Sequence, residues 1–415
     1  MMKDWKEIKL GEICTIKHGW AFKGEFFTKE GVKIVVTPGN FFEEGGFRLQ
    51  VGKEKFYSAD FPKEYLLKKD DLVIAMTEQG EGLLGSPALI PCDDRYLHNQ
   101  RIGLFQDLDE NIVCKKFIYY VFFTKEVRGS IASSATGTKV KHTAPKRIYS
   151  INLKLPPLET QQKIASILSA YDDLIENNLR RIKLLEEMAA ITYKEWFINF
   201  TIEGEKLAID ETTGLPFGWE RKRSDEIFDI KIGKTPPREQ TEWFTDNEVG
   251  VKWASIRDMN NSLVYIHNTS ERITNEGIKR FNMNIAKKGT VILSFKLTVG
   301  KVSITTENFV TNEAIAHFNI KDEKIINKEF TYCYLKDFNY DSLGSTSAIG
   351  TAINSKVVKA MPIQLPDNKT MMSFKVAINP ILTGIENLST QNLLLKESRD
   401  ILLPRLMSGT VNLTQ

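Results

Sequence analysis

The densest basic run of the first 155 residues, interleaved with hydroxyls, is Thr136-Gly137-Thr138-Lys139-Val140-Lys141-His142-Thr143, continued by Lys146-Arg147. Ammonium and guanidinium groups attract phosphate, and hydroxyl and amide groups reach base edges. Thr138, Lys139, Lys141, His142, Lys146 and Arg147 are therefore candidate nucleic-acid contacts; a solvated surface loop is the plain alternative. Asn99-Gln100-Arg101 carries planar side chains that suit adenine and guanine in the major groove. An asparagine there equally suits a turn. Asn312 is its counterpart further along. Thr77 and Gln79, Ser255 and Arg257, and Lys296 lie in or beside loops near strand-like runs. The less basic stretch Thr351, Asn354 and Lys356 completes the set.

The sequence carries no complete catalytic signature. Gly80-x-Gly82-x-x-Gly85 follows a strand-like run, but Ser86-Pro87-Ala88-Leu89-Ile90-Pro91 comes next. Two prolines leave no helix N-terminus to face a pyrophosphate. No Gly-x4-Gly-Lys-Ser/Thr phosphate loop occurs, no Asn/Asp-Pro-Pro-Tyr/Phe segment, and no Glu-x-Lys after Pro366-Asp367. His18, His98, His142, His267 and His317 have no zinc spacing and are expected as surface or half-buried polar residues. The reading is of a chain with no catalytic residue, metal or cofactor of its own.

The elements that would carry these contacts belong to a chain of 415 residues, long enough for about three folding units. Net charge is +3 from 56 basic and 53 acidic residues, so a nucleic-acid footprint has to be a local patch. Four separated cysteines, no apolar leader and no apolar run of about 18 residues give the expectation of a cytoplasmic protein with free thiols.

The chain is duplicated. Trp5, Glu12-Ile13, Ile16-Lys17 and Gly19 return as Trp219, Glu226-Ile227, Ile230-Lys231 and Gly233, each 214 residues on. Asn99, Phe105 and Gly137-Thr138 return as Asn312, Phe318 and Gly350-Thr351 after 213 residues. Leu155-Pro156 and Ile175-Glu176-Asn177 return as Leu365-Pro366 and Ile385-Glu386-Asn387 after 210. Three ordered sets at nearly one offset mark two copies of one unit, with small insertions in loops. Strand-like runs at Ile34–Val36, Leu72–Met76, Ile151–Leu155, Val291–Phe295 and Val302–Thr305 mix with helical patches at Lys116–Phe123 and Lys328–Leu335. Each globular part therefore reads as α+β.

Each copy ends in a long helix with a heptad seam. The first seam includes Leu168, Ile175, Asn178, Ile182, Leu185 and Trp196; the second includes Phe374, Ile385, Leu388, Asn392, Leu395 and Leu402. Pro380 and Pro404 are expected to kink or end the second helix. Duplicated halves related by a pseudo-twofold pair their helices antiparallel. A buried amide in an apolar seam sets register, so Asn178 is paired with Asn392. Ile175 then meets Leu395, Ile182 meets Leu388, Leu185 meets Ile385, Leu168 meets Leu402, and Trp196 meets Phe374. Tyr171 falls opposite Arg399 as a stacking pair. The alternative leaves both asparagines facing solvent.

These segments resemble the specificity subunit of a type I restriction-modification enzyme. Trp5-x4-Leu10-Gly11-Glu12-Ile13 and Leu215-Pro216-x-Gly218-Trp219 are similar to the openings of its target recognition domains, and Thr136–His142 to their ends. Leu155-Pro156-Pro157-Leu158-Glu159-x-Gln161 resembles the start of its central conserved helix, and Leu402–Gly409 its C-terminal one. Leu365-Pro366-Asp367 lacks the second proline and the Glu-x-Gln, which leaves that helix start open.

The resemblance implies a non-catalytic reader of double-stranded DNA with α+β architecture: two similar target recognition domains, at 1–155 and 216–366, each reading half of a bipartite site. The central conserved helix, 156–200, a linker, 201–215, and the C-terminal helix and tail, 367–415, complete it. The helices pack as an antiparallel coiled coil, pseudo-twofold symmetric, that sets the spacer. Implied partners are two modification (methyltransferase) subunits, with S-adenosylmethionine, and restriction subunits, with ATP and magnesium; no membrane is involved. The competing reading is an interaction scaffold that binds no nucleic acid.

Overall fold

The computed structural model describes residues 5–78, 82–138, 140–344, 353–411 and 413. Gln79, Lys139 and Thr351 lie outside the described residues. The chain forms two compact units: residues 1–175 with 394–415, and residues 176–393. Each unit contains part of both long helices, so the helices are built into the globular parts rather than standing apart from them.

In the first unit, Lys6–Lys9 pairs antiparallel with Asn152–Leu155 and closes the globular part on itself. The main sheet has the order Thr15–His18, Ile102–Gln106, Leu72–Ala75, Pro87–Leu89, all antiparallel. Leu72–Ala75 is buried throughout, as a continuous apolar run requires. Pro87 sits in the edge strand, where its missing N–H breaks no ladder. No helix follows Gly85. A second four-stranded sheet orders Phe27–Thr28, Phe56–Tyr57, Ile34–Val35 and Tyr96–Leu97. The core joins Leu10, Ile74, Phe105, Phe117 and Phe122 to Ile164, Leu168, Leu403 and Leu406 of the long helices.

The second unit repeats this plan. Glu220–Arg223 pairs with Pro362–Leu365 in the register of the first closing pair. The five-stranded sheet runs Phe228–Ile232, Ile315–Ile320, Val291–Ser294, Val302–Thr305, Tyr265–Ile266. The duplication extends to single hydrogen bonds: Leu10 N donates to Ile151 O over 3.0 Å, and Ser224 N to Met361 O over 2.9 Å. Residues 201–215, read as a linker, fold together with Pro216 into two short hairpins.

The long helices span Leu158–Phe197 and Asn368–Met407. The second begins after Asp367, whose carboxylate accepts from Thr370 N over 3.0 Å and replaces the missing Pro-x-Glu-x-Gln start. Pro380 does not end this helix. It faces solvent, opposite Ile378, Leu382 and Ile385 in the core, and the carbonyl it leaves unbonded belongs to Val376, 71% exposed and open to water. Pro404 falls in the last turn.

Within the second unit the helices run antiparallel: Asn178 Nδ2 donates to Asn392 Oδ1 over 3.0 Å, and the rings of Trp196 and Phe374 lie 5.6 Å apart. Ile182, Ile385 and Leu388 are buried in the same core, with Leu185 packed against it. The register is the one expected from the two asparagines. Within the first unit, Leu168 is buried with Leu402 against it, Ile175 is buried and Leu395 half-buried. One expected pair fails there. Arg399 does not stack on Tyr171 but bonds Asp172 over 2.6 Å and Asp400 over 2.9 Å, with its guanidinium 5.7 Å from the Phe123 ring. A buried guanidinium gains more from a carboxylate one position round the helix than from a ring.

Candidate nucleic-acid interface

The strand Thr15–His18 ends at Gly19, where the chain crosses the backbone of residue 99. A Cβ on Gly19 would lie 2.2 Å from Asn99 O, so only glycine fits. Trp20 N donates to His98 O over 2.8 Å. Asn99 turns the chain: its Oδ1 accepts from Arg101 N over 2.9 Å. Met76 N then donates to Arg101 O, and Thr143 N to Met76 O, both over 3.0 Å. Lys141–His142 pairs antiparallel with Thr77–Glu78.

These bonds bring segments far apart in sequence to one place. Thr77, Gln100, Arg101 and His142 line one open depression together with His18 and Gly19. Lys141 stands beside it, 3.7 Å from buried Glu78, whose other oxygen accepts from Leu83 N and Leu84 N. Thr138 and Lys146 are exposed; Arg147 donates to Thr136 Oγ1 over 3.0 Å and steadies the loop.

The second unit repeats the frame with other side chains. A Cβ on Gly233 would meet Asn312 O at 2.2 Å. Lys234 N donates to Thr311 O over 2.8 Å, Phe295 N to Ala314 O over 2.9 Å, and Ile353 N to Phe295 O over 3.1 Å. Asn312 Oδ1 accepts from Ala314 N over 3.1 Å. Lys296, beside the Phe295 ring, follows the strand as Thr77 does. Arg257 and Lys356 are exposed. Ser255 and Asn354 serve as helix N-caps, accepting from Asp258 N and Val357 N. Asp258 returns bonds to Ser255 N and Oγ.

Two histidines depart from expectation. His98 and His317 are fully buried, bonded through Nε2 to Ile102 O at 2.8 Å and Thr311 Oγ1 at 2.7 Å. Burial pulls each down to about 4, so both are neutral core residues at pH 7. His18 lines the depression, and Lys17 (4.5 Å from the Tyr65 ring), Lys234 and Glu313 flank the two frames; none of the four is among the candidates read from the sequence. Their signal was adjacency to the repeated residues Gly19, Gly233 and Asn312. Among the described residues no group of three or more His, Cys, Asp or Glu could hold a metal ion.

One backbone frame, built twice and carrying different exposed side chains, defines a duplicated recognition scaffold. The profile of the type I restriction modification DNA specificity domain matches residues 2–187 and again 216–395. The chain belongs to this family. It is 25% identical to the type I restriction enzyme HindI specificity subunit of Haemophilus influenzae, over 99% of this chain and 100% of that one. It is also 25% identical to the MjaIX specificity subunit of Methanocaldococcus jannaschii, over 73% and 70%. The crystal structure of a type I restriction-modification S subunit from M. genitalium shares the fold, with TM-score 0.57, 16% identity and coverage of 97% and 96%. No described helix is long and apolar enough to cross a membrane.

Proposed function

We propose that this chain is the non-catalytic specificity subunit of a type I restriction-modification assembly. Its globular parts, 1–155 and 216–366, each read one half of a bipartite double-stranded DNA site. The helices fix the spacer and seat two modification subunits, and restriction subunits join the larger assembly in the cytoplasm. S-adenosylmethionine belongs to the modification subunits, and ATP with magnesium to the restriction subunits. The observation that carries this reading is the repeated frame around Gly19–Asn99 and Gly233–Asn312, which holds backbone constant and varies the side chains on it.

The helices support two equivalent docking surfaces. Leu184 and Ile191 are 59% and 62% exposed, and their counterparts 210 residues on, Leu394 and Ile401, are 57% and 50% exposed. Apolar side chains left in solvent at the same two positions of both copies suit one kind of partner bound twice. Co-expression with the cognate modification subunit, followed by mapping of methylated adenines, tests the reading. The expected result is one asymmetric bipartite motif; methylation with no second half-site contradicts it.

A further inference from the structure

The frame equates individual residues of the two units, and at one equated position the chemistry reverses. Asn99 and Asn312 make the same turn, closed on the backbone N–H two residues on. The residue at the top of the turn is Gln100 in one unit and Glu313 in the other, both exposed. The next residue is exposed Arg101 in the first unit and buried Ala314 in the second. The flanking bonds, Met76 N to Arg101 O and Phe295 N to Ala314 O, differ by 0.1 Å, so the two turns present this residue from equivalent backbone.

Among the described residues Glu313 forms no ion pair, and its carboxylate accepts from the Thr235 hydroxyl. Lys234, next to the frame glycine, is turned to the carbonyls of Phe281 and Asn282, at 3.1 and 2.9 Å. An unpaired carboxylate on a DNA-facing turn is repelled by phosphate. It becomes favourable only against a base-edge donor, and the matching major-groove partner is the cytosine N4 amino group. At the same place Gln100 offers a donor and an acceptor, and Arg101 only donors, the patterns that suit adenine and guanine.

We infer that Gln100 and Glu313 are one base-reading position in its two copies, and that Glu313 makes the second half-site require a cytosine. Thr235 is a positioning residue for that carboxylate. The inference rests on the proposed DNA-reading function and adds the base class.

The test is methylome mapping of the complete complex carrying wild-type chain, Glu313→Gln or Gln100→Glu. Wild type reports on the function itself: absence of a bipartite motif contradicts the function, not this assignment. With a wild-type motif established, E313Q should exchange or relax one cytosine in one half-site, with discrimination there falling roughly 5- to 150-fold and the other half-site unchanged. Q100E should move one position of the other half-site toward cytosine. If E313Q fails to assemble, Q100E decides alone. An unchanged motif in the deciding variant, or a change in both half-sites, overturns the assignment.

Discussion

The Asn178 amide donates to Asn392 Oδ1 over 3.0 Å between the buried seam residues Ile175 and Ile182, with Gln391 Oε1 at 3.4 Å. Both asparagines are 6% exposed, and a buried amide that finds its partner at only one register penalises every other one. Asn178→Leu removes the group that reaches Asn392 and should lower stability by about 1–3 kcal/mol. The double variant N178L/N392L should recover most of that loss, because replacing both partners removes the desolvation as well as the bond. Chemical denaturation of the four species gives the coupling; additive losses contradict the pairing.

Arg399 ties the C-terminal helix to the first unit through Asp172, which also accepts from the Tyr120 hydroxyl over 2.6 Å. Arg399→Met should cost about 2 kcal/mol or more by leaving Asp172 with a lost partner in a half-buried site. Combining it with Asp172→Leu should restore part of the loss. Equal stability of R399M and wild type contradicts the lock.

The neutral histidines give a pH dependence of known sign. His98 and His317 are pulled from 6.5 to about 4 by burial, so the unfolded chain binds more protons between these values. Their contribution to stability is complete above pH 6.5 and is lost as pH falls toward 4, by about 3 kcal/mol each. Unfolding measured at pH 7.5 and 4.5 should show a smaller difference in His317→Gln than in wild type. An equal difference rules out this origin.

The proposed docking surfaces carry an expected stoichiometry. Leu184→Asp with Ile191→Asp should remove one modification subunit of two, Leu394→Asp with Ile401→Asp the other, and all four both, read by native mass spectrometry. Retention of both subunits by the quadruple variant contradicts docking at these side chains.

Much of this was legible because certain positions tolerate one residue type. Gly19 and Gly233 repeat because a Cβ would meet a carbonyl at 2.2 Å, and Asn178 stood out as an amide in an apolar seam. Other features turn on neighbours that a single sequence does not name. Pro380 signals a break unless its open carbonyl faces water, and Arg399 chose Asp172 over Tyr171 by one position of helix rotation. Ser255 and Asn354 were weighed as base contacts although Ser255-x-x-Asp258 also reads as a capping box. The burial of His98 and His317 depends on sheet packing, which no local spacing encodes.

We propose that each globular part reads DNA independently on a shared frame. Exchanging residues 1–155 for the equivalent segment of a relative with a different motif, and mapping adenine methylation by the reconstituted complex, tests this. The expected motif takes one half-site from the donor and retains the other half-site and the spacer. A change in both half-sites, or in neither, would contradict it.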